Sequence, residues 1–280
     1  LNSIVMVTSN VVFNYILVFG KLGFPALGIA GAAIGSSLAE LVSMLFFIVY
    51  TVRQVDCTKY GLNQLVKFRW AELKRIMSVS LWTMIQNAVS ISTWFLFFIF
   101  IEHLGERSLA ITNIVRNVSS VPFMTITAFA STCSALVSNL LGAGEARYVM
   151  PTIRQHVRLC TYIVWPVILL IACLPTYVLR IYTDMPDLAV PTLWVLCSSY
   201  LFQCAGFIFF QSVSGTGDTR AAFLLEMIAL TCYLIFIVLI ILLLKMDVAV
   251  CWFSEHVYAG AIGLLSYIYL KKGSWQRKRI

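Results

Sequence analysis

The chain has 280 residues, of which 60% are hydrophobic and 11% charged, with a mean hydropathy of +0.90 and a formal net charge of +8 at pH 7. A soluble domain devotes roughly a quarter of its residues to charge, so this composition excludes one and predicts an all-α polytopic membrane protein. The basic residues flank apolar runs instead of gathering on a polar face, which argues against a nucleic-acid surface.

Eight apolar runs follow one another, at about 1–19, 26–52, 76–101, 109–141, 159–178, 188–210, 221–244 and 248–270. Each is long enough to cross a hydrocarbon core of about 30 Å as a helix. Four charged side chains, Glu40, Arg116, Glu226 and Glu255, lie inside the runs. The first two runs are joined by a Gly- and Pro-containing gap, and Gly28, Gly31, Ala32, Ala33 and Gly35 open the second with a small-residue surface suited to close helix packing. The chain begins at Leu1, inside an apolar run, which predicts that an N-terminal part is missing. The next gap, 53–75, is the longest and most polar, and Trp70 within Phe68–Lys74 predicts a short amphipathic helix at the membrane surface.

The third run carries Thr83, Gln86, Asn87 and Ser90 at i, i+3, i+4 and i+7, one helical face, with Trp82 and Trp94 beside it. Polar groups at membrane depth need a cavity or each other, so this face is a cavity wall or a helix–helix hydrogen-bond seam. The fourth run repeats the pattern with Thr112, Asn113, Arg116, Asn117 and Ser120. An intramembrane arginine costs at least about 3 kcal/mol on insertion scales. Arg116 therefore needs a partner, for which Glu255 is one candidate, or an outward snorkel. Pro122 and Pro166 interrupt their runs, Ser199 and Gln203 share a face of the sixth, and Glu226 near one end of the seventh reads first as an interfacial acid.

Lys21, Arg107, Arg180 and Lys245 stand one each in alternate gaps, whereas the other gaps and the tail 271–280 hold fifteen basic residues. The positive-inside rule places the fifteen-residue side, and the C-terminus, in the cytoplasm of a plasma (inner) membrane protein. The eight cysteines show no C-x-x-C pair, and His103, His156 and His256 form no metal-ligand spacing. No metal, cofactor or enzymatic motif is expected. Asp184-Met185-Pro186-Asp187 matches D-x-x-D once, in a short gap without the second acidic cluster that a membrane-embedded prenyltransferase would need.

Three stretches carry a family resemblance. Asn14–Ala33, with Gly20-Lys21-Leu22-Gly23-Phe24-Pro25 at its centre, resembles the loop between the fifth and sixth helices of bacterial multidrug and toxic compound extrusion (MATE) transporters. Ser138–Ala146 is similar to the loop after that family's eighth helix, and Gly215-Thr216-Gly217-Asp218-Thr219-Arg220 to the loop before its eleventh. The resemblance implies that the eight runs are helices five to twelve of a two-lobe, twelve-helix fold. Residues 1–52 would close the N-terminal lobe, 53–75 would link the lobes, 76–270 would form the six-helix C-terminal lobe, and 271–280 a basic tail.

The resemblance further implies a monomeric antiporter, coupled to H+ or Na+, exporting small organic cations from the cytoplasm by alternating access. The expected cavity residues are Thr83, Gln86, Asn87, Ser90, Asn113, Arg116, Asn117, Gln203, Glu226 and Glu255. One departure stands out: Ser90 occupies the place where the sodium-coupled branch carries a glutamate, and 188–210 contains no acid to match that branch's aspartate. Proton and sodium both stay open. A lipid-linked oligosaccharide flippase of the same superfamily is the alternative, although Arg116 is the sole base within the runs.

Overall fold

Backbone polar groups in an apolar run can be satisfied within a helix and in no other open structure, and every run becomes one. The computed structural model of the chain describes residues 1–56, 59, 69–183, 186–273 and 275. Residues 57–58 and 60–68 of the 53–75 gap, Asp184 and Met185, and most of the basic tail therefore lie outside the described residues. Among the described residues, eight helices are long and apolar enough to cross a membrane. The α-helices are α1 (Asn2–Phe19), α2 (Gly28–Gln54), α3 (Trp70–Glu102), α4 (Glu106–Gly142), α5 (Val149–Cys173), α6 (Pro175–Leu179), α7 (Val190–Gly215), α8 (Thr219–Ile237), α9 (Val248–Cys251) and α10 (Ser254–Lys272). A π-helical turn, Val238–Leu243, prolongs α8.

The chain forms two compact units, Leu1–Arg69 and Trp70–Ile280. In the first, α1 ends at Gly20, which takes φ +65° as a left-handed cap. The hairpin is held by a stripe recurring every four residues of α2: Gly31, Gly35, Ala39 and Ser43 are its buried positions. A Cβ at Gly31 would sit 2.4 Å from the Leu17 carbonyl oxygen and one at Gly35 2.5 Å from Asn14 Oδ1, so only glycine permits this approach. Gly28 and Ala33 do not share the role expected of them, since Gly28 faces open space and Ala33 is exposed.

In the second unit α7 is the central helix, packed by α4, α5 and α10, while α8 lies between α3 and α10. The amphipathic helix expected around Trp70 is not separate: Trp70–Lys74 is the start of the 33-residue α3. Helix α5 begins at Val149, so Arg154 and Arg158, which hydropathy leaves in a gap, lie within its first turns. Both α4 and α5 continue through their prolines, Pro122 and Pro166.

The loop Gly215–Arg220 is closed by specific contacts. A Cβ on Gly215 would lie 2.5 Å from the Ser134 carbonyl oxygen, and Ser138 Oγ donates to the Gly215 carbonyl at 2.7 Å, clamping α7 to α4. Gly217 turns the chain at φ +81°, and Asp218 caps α8 by accepting from the Ala221 N–H at 3.2 Å. Tyr269 of α10 donates to the same carboxylate.

Candidate functional site

A second glycine contact sets up the site. A Cβ on Gly206 of α7 would lie 2.7 Å from the Ala259 carbonyl oxygen of α10, and one on Gly263 would lie 2.9 Å from Gly206 Cα. The two helices therefore touch backbone to backbone. One turn before that contact Gln203 and Glu255 meet, Gln203 Nε2 donating to Glu255 Oε2 at 3.3 Å and sharing a 3.0 Å contact with Ser199 Oγ. Among the described residues Gln203 Oε1 has no hydrogen-bond partner.

These groups face a cavity of about 450 Å³ bounded by α3, α4, α7, α8 and α10 and by Trp252 between α9 and α10. Its walls are mainly aromatic: Trp94, Phe123, Tyr200, Phe207, Tyr233 and Trp252 contribute rings. Several meet edge to face, as Phe123 does with Phe207 at 5.3 Å between centroids and Phe207 with Tyr258 at 6.1 Å. Tyr200 Oη donates to the Ser119 carbonyl at 2.9 Å, in the turn of α4 before Pro122. Among the described residues Trp252 Nε1 is buried without a hydrogen-bond partner, and Tyr233 Oη is buried with only the Ser254 hydroxyl beside it. The cavity thus offers a flat ligand π-faces, one carboxyl group and a few open donors and acceptors.

Arg116 lines the cavity, but it does not pair with Glu255. Its guanidinium carbon stands 5.7 Å from the Trp94 ring centre and 5.3 Å from that of Phe98, so the rings of α3 hold it by cation–π contact. Among the described residues no base faces Glu255 closely enough to act on its carboxyl group. The pairing named as a candidate from the sequence is absent.

Glu226 is not at an interface in water. It is 3% exposed, and Tyr258 Oη donates to its Oε1 at 3.2 Å. Gln86 and Ser90 approach the same carboxyl group from α3. Among the described residues its Oε2 has no hydrogen-bond partner.

Of the ten residues expected to line a cavity, the structure places Ser90, Arg116, Gln203 and Glu255 on its wall and Gln86 with Glu226 just behind it. The others stand apart. Asn87 and Asn117 are exposed, Asn113 donates to the Leu109 carbonyl of its own helix at 3.1 Å, and Thr83 is half-buried away from the cavity. The buried face of α3 follows Gln86, Thr93, Phe97 and Ile101, which carries Ser90 with it and turns Asn87 one position too far. Sequence reasoning missed the tyrosines and Trp252. A signal was there: Trp252, Glu255 and Tyr258 recur every three residues, and Tyr200, Gln203 and Phe207 recur at helical spacing around Gln203.

Comparison with known proteins agrees with this architecture. The MatE family model matches residues 83–242. The chain is 24% identical over 285 aligned positions to a probable multidrug resistance protein NorM of Thermotoga maritima, covering 97% of the chain and 59% of that protein. It is 26% identical over 231 positions to the probable NorM of Agrobacterium fabrum, covering 79% and 47%. Its fold is similar to the outward-facing conformation of a multidrug resistance MATE family transporter of the MOP superfamily, with a TM-score of 0.83 at 13% identity, over 99% of the chain and 62% of that structure. The chain spans about half to three fifths of the length of these relatives.

Proposed function

The chain belongs to the MatE family, and on that footing we propose that it carries the substrate cavity of an antiporter that exports organic cations or drugs by alternating access, driven by H+ or Na+. The relatives named as multidrug resistance proteins support drug export. The observation that carries the reading is Glu255: a carboxyl group with no cationic partner, oriented by Gln203 and set among aromatic rings in a cavity of about 450 Å³. A planar organic cation fits this arrangement, its charge against the carboxylate and its apolar body against the rings. The Arg116 guanidinium keeps its charge, and Trp94 and Phe98 hold it against the α3 side of the wall.

A flippase for lipid-linked diphosphates would call for several bases at the ligand, and Arg116 is the one base among the described residues of the cavity wall. Nothing favours that reading over export. The distribution of basic residues supports a multi-pass plasma-membrane protein with its C-terminus in the cytoplasm. The protein acts as a transporter, not an enzyme, and as a monomer in the lipid bilayer.

The test uses the full-length protein in everted membrane vesicles, following ethidium accumulation under an imposed pH gradient and separately under a sodium gradient. Accumulation under one gradient is expected, and Glu255→Gln should slow it by about tenfold or more, a barrier change of about 1.4 kcal/mol. No accumulation under either gradient, with the protein correctly inserted, would overturn the reading.

A further inference from the structure

Two charged side chains of opposite sign belong to the wall of one cavity and make no pair. Glu255 enters from α10, held by Gln203, and no base among the described residues is close enough to act on it. Arg116 enters from α4, with its guanidinium carbon 5.7 Å from the ring centre of Trp94 and 5.3 Å from that of Phe98.

Arg116 does not reach outward to a membrane surface. Arg107 stands in the first turn of α4, and Arg116 lies about 14 Å further along the helix axis. A guanidinium at such a depth is costly unless partners answer it. The two rings answer its faces. Its in-plane N–H groups make no hydrogen bond and no ion pair among the described residues. Ser119 and Ser120 share the α4 wall, but their hydroxyls donate to the backbone carbonyls of Arg116 and Asn117, each at 2.7 Å. On this side of the cavity the guanidinium edge is therefore the donor open to a ligand.

A planar fork with covered faces and an open edge matches a carboxylate, which accepts two parallel N–H bonds from it. One guanidinium neutralises one negative charge, and one carboxylate at Glu255 neutralises one positive charge. A ligand that is only a cation leaves Arg116 unanswered and is repelled by it; one that is only an anion does the same at Glu255. A ligand carrying both charges answers both, and the aromatic walls receive its flat body.

We propose that Arg116 is a specificity-determining residue of the cavity, its open edge binding a carboxylate of the substrate, so that flat zwitterions are preferred over simple cations. This rests on the reading of the cavity as a drug-export site and narrows the substrate class.

The experiment takes the purified full-length protein as wild type, Arg116→Gln, Arg116→Lys and Glu255→Gln. The probes are a diaminoxanthylium rhodamine as its free benzoate, the same dye as its methyl ester, and ethidium. Acid and ester share one cationic ring system and differ only in the carboxylate. Binding is read by fluorescence polarisation. The wild type should bind the acid about tenfold or more tightly than the ester. Arg116→Gln should abolish that preference by weakening the acid about tenfold, with the ester and ethidium bound as tightly as before or tighter. Arg116→Lys keeps the charge without the fork and should retain part of the preference, whereas Glu255→Gln should weaken all three probes. Damage to the cavity as a whole would weaken every probe together, so the ratio of acid to ester reports on Arg116.

A wild type that binds the ester as tightly as the acid overturns the proposal, and that result needs no variant to fold. An unchanged ratio in Arg116→Gln overturns it as well. In both cases ethidium binding that depends on Glu255 leaves the export reading standing. A wild-type protein that binds none of the probes and exports no ethidium defeats that reading, and the proposal with it.

Discussion

The loop Gly215–Arg220 and the cavity are built from the same six-helix unit, yet they treat polar groups in opposite ways. At the loop every group named has its partner: the Gly215 carbonyl accepts from Ser138, Asp218 caps α8 and accepts from Tyr269, and Arg220 rests 5.5 Å from the Trp82 ring centre. At the cavity Gln203 Oε1, Tyr233 Oη and Trp252 Nε1, and just behind it Glu226 Oε2, are buried without a well-formed hydrogen bond among the described residues. A buried polar atom left open costs about 1–3 kcal/mol. Among the described residues nine buried side-chain atoms are open in this way, and those of Gln203, Tyr233 and Trp252 belong to the cavity wall, where a ligand can use them, whereas the loop has spent its polar groups on holding helices in place.

The largest test of that contrast falls on the loop. Gly215→Val would drive a side chain into Ser134 of α4, whose carbonyl oxygen lies 2.5 Å from the ideal Cβ position. Overpacking against backbone should cost about 3 kcal/mol, read as a fall in thermal stability of the full-length protein in detergent and in the yield of monodisperse protein. A variant as stable as wild type would show that α4 and α7 can part at no cost, and the loop would lose its role as a clamp. Next in size, Asp218→Ala removes a helix cap and the acceptor of Tyr269, for a loss of about 1–2 kcal/mol. Ethidium export per folded molecule should not change, and a drop in export at unchanged stability would move Asp218 from the scaffold into the transport machinery.

The same division governs how much could be read from the sequence. The eight spans were legible because length and apolarity alone decide whether a run crosses a membrane, and the glycines at 31 and 35 announced a close contact. Arg154 and Arg158 were misplaced in a gap because hydropathy measures lipid contact, while a helix continues into water wherever its backbone bonds continue. Helical spacing singled out Gln86, Ser90 and Gln203, and charge within an apolar run singled out Glu226 and Glu255, although Glu226 read first as an interfacial acid. Asn87 and Asn117 were singled out too, and they face outward. Spacing defines a face, but only the packing of α3 against α8 decides which face turns inward. The tyrosines were hidden for the opposite reason: an aromatic ring in an apolar run looks like lipid contact or core, and its hydroxyl acquires meaning only from what lies opposite. Arg116 shows the same limit, since Trp94 and Phe98 are its partners instead of an acid.

The smallest expected effects give the sharpest comparison, because two tyrosines of one cavity differ in a single respect. Tyr200 Oη donates to the Ser119 carbonyl, whereas among the described residues Tyr233 Oη has no well-formed hydrogen bond and only the Ser254 hydroxyl beside it. Tyr200→Phe should therefore cost about 1 kcal/mol, the net worth of one hydrogen bond, and leave the Ser119 carbonyl less well satisfied beside Pro122. Tyr233→Phe removes only an open hydroxyl, so stability should stay within about 0.5 kcal/mol of wild type or rise slightly. Ligand binding should divide the other way. If the open groups are kept for a ligand, Tyr233→Phe weakens ethidium binding, or that of a ligand with an acceptor, by several-fold, while Tyr200→Phe leaves it nearly unchanged. Equal stability losses in the two variants would mean that Tyr233 has a structural partner after all. Unchanged binding in Tyr233→Phe would mean that an open hydroxyl is tolerated there without serving a ligand, and the contrast between loop and cavity would then rest on the carboxyls and Gln203 alone.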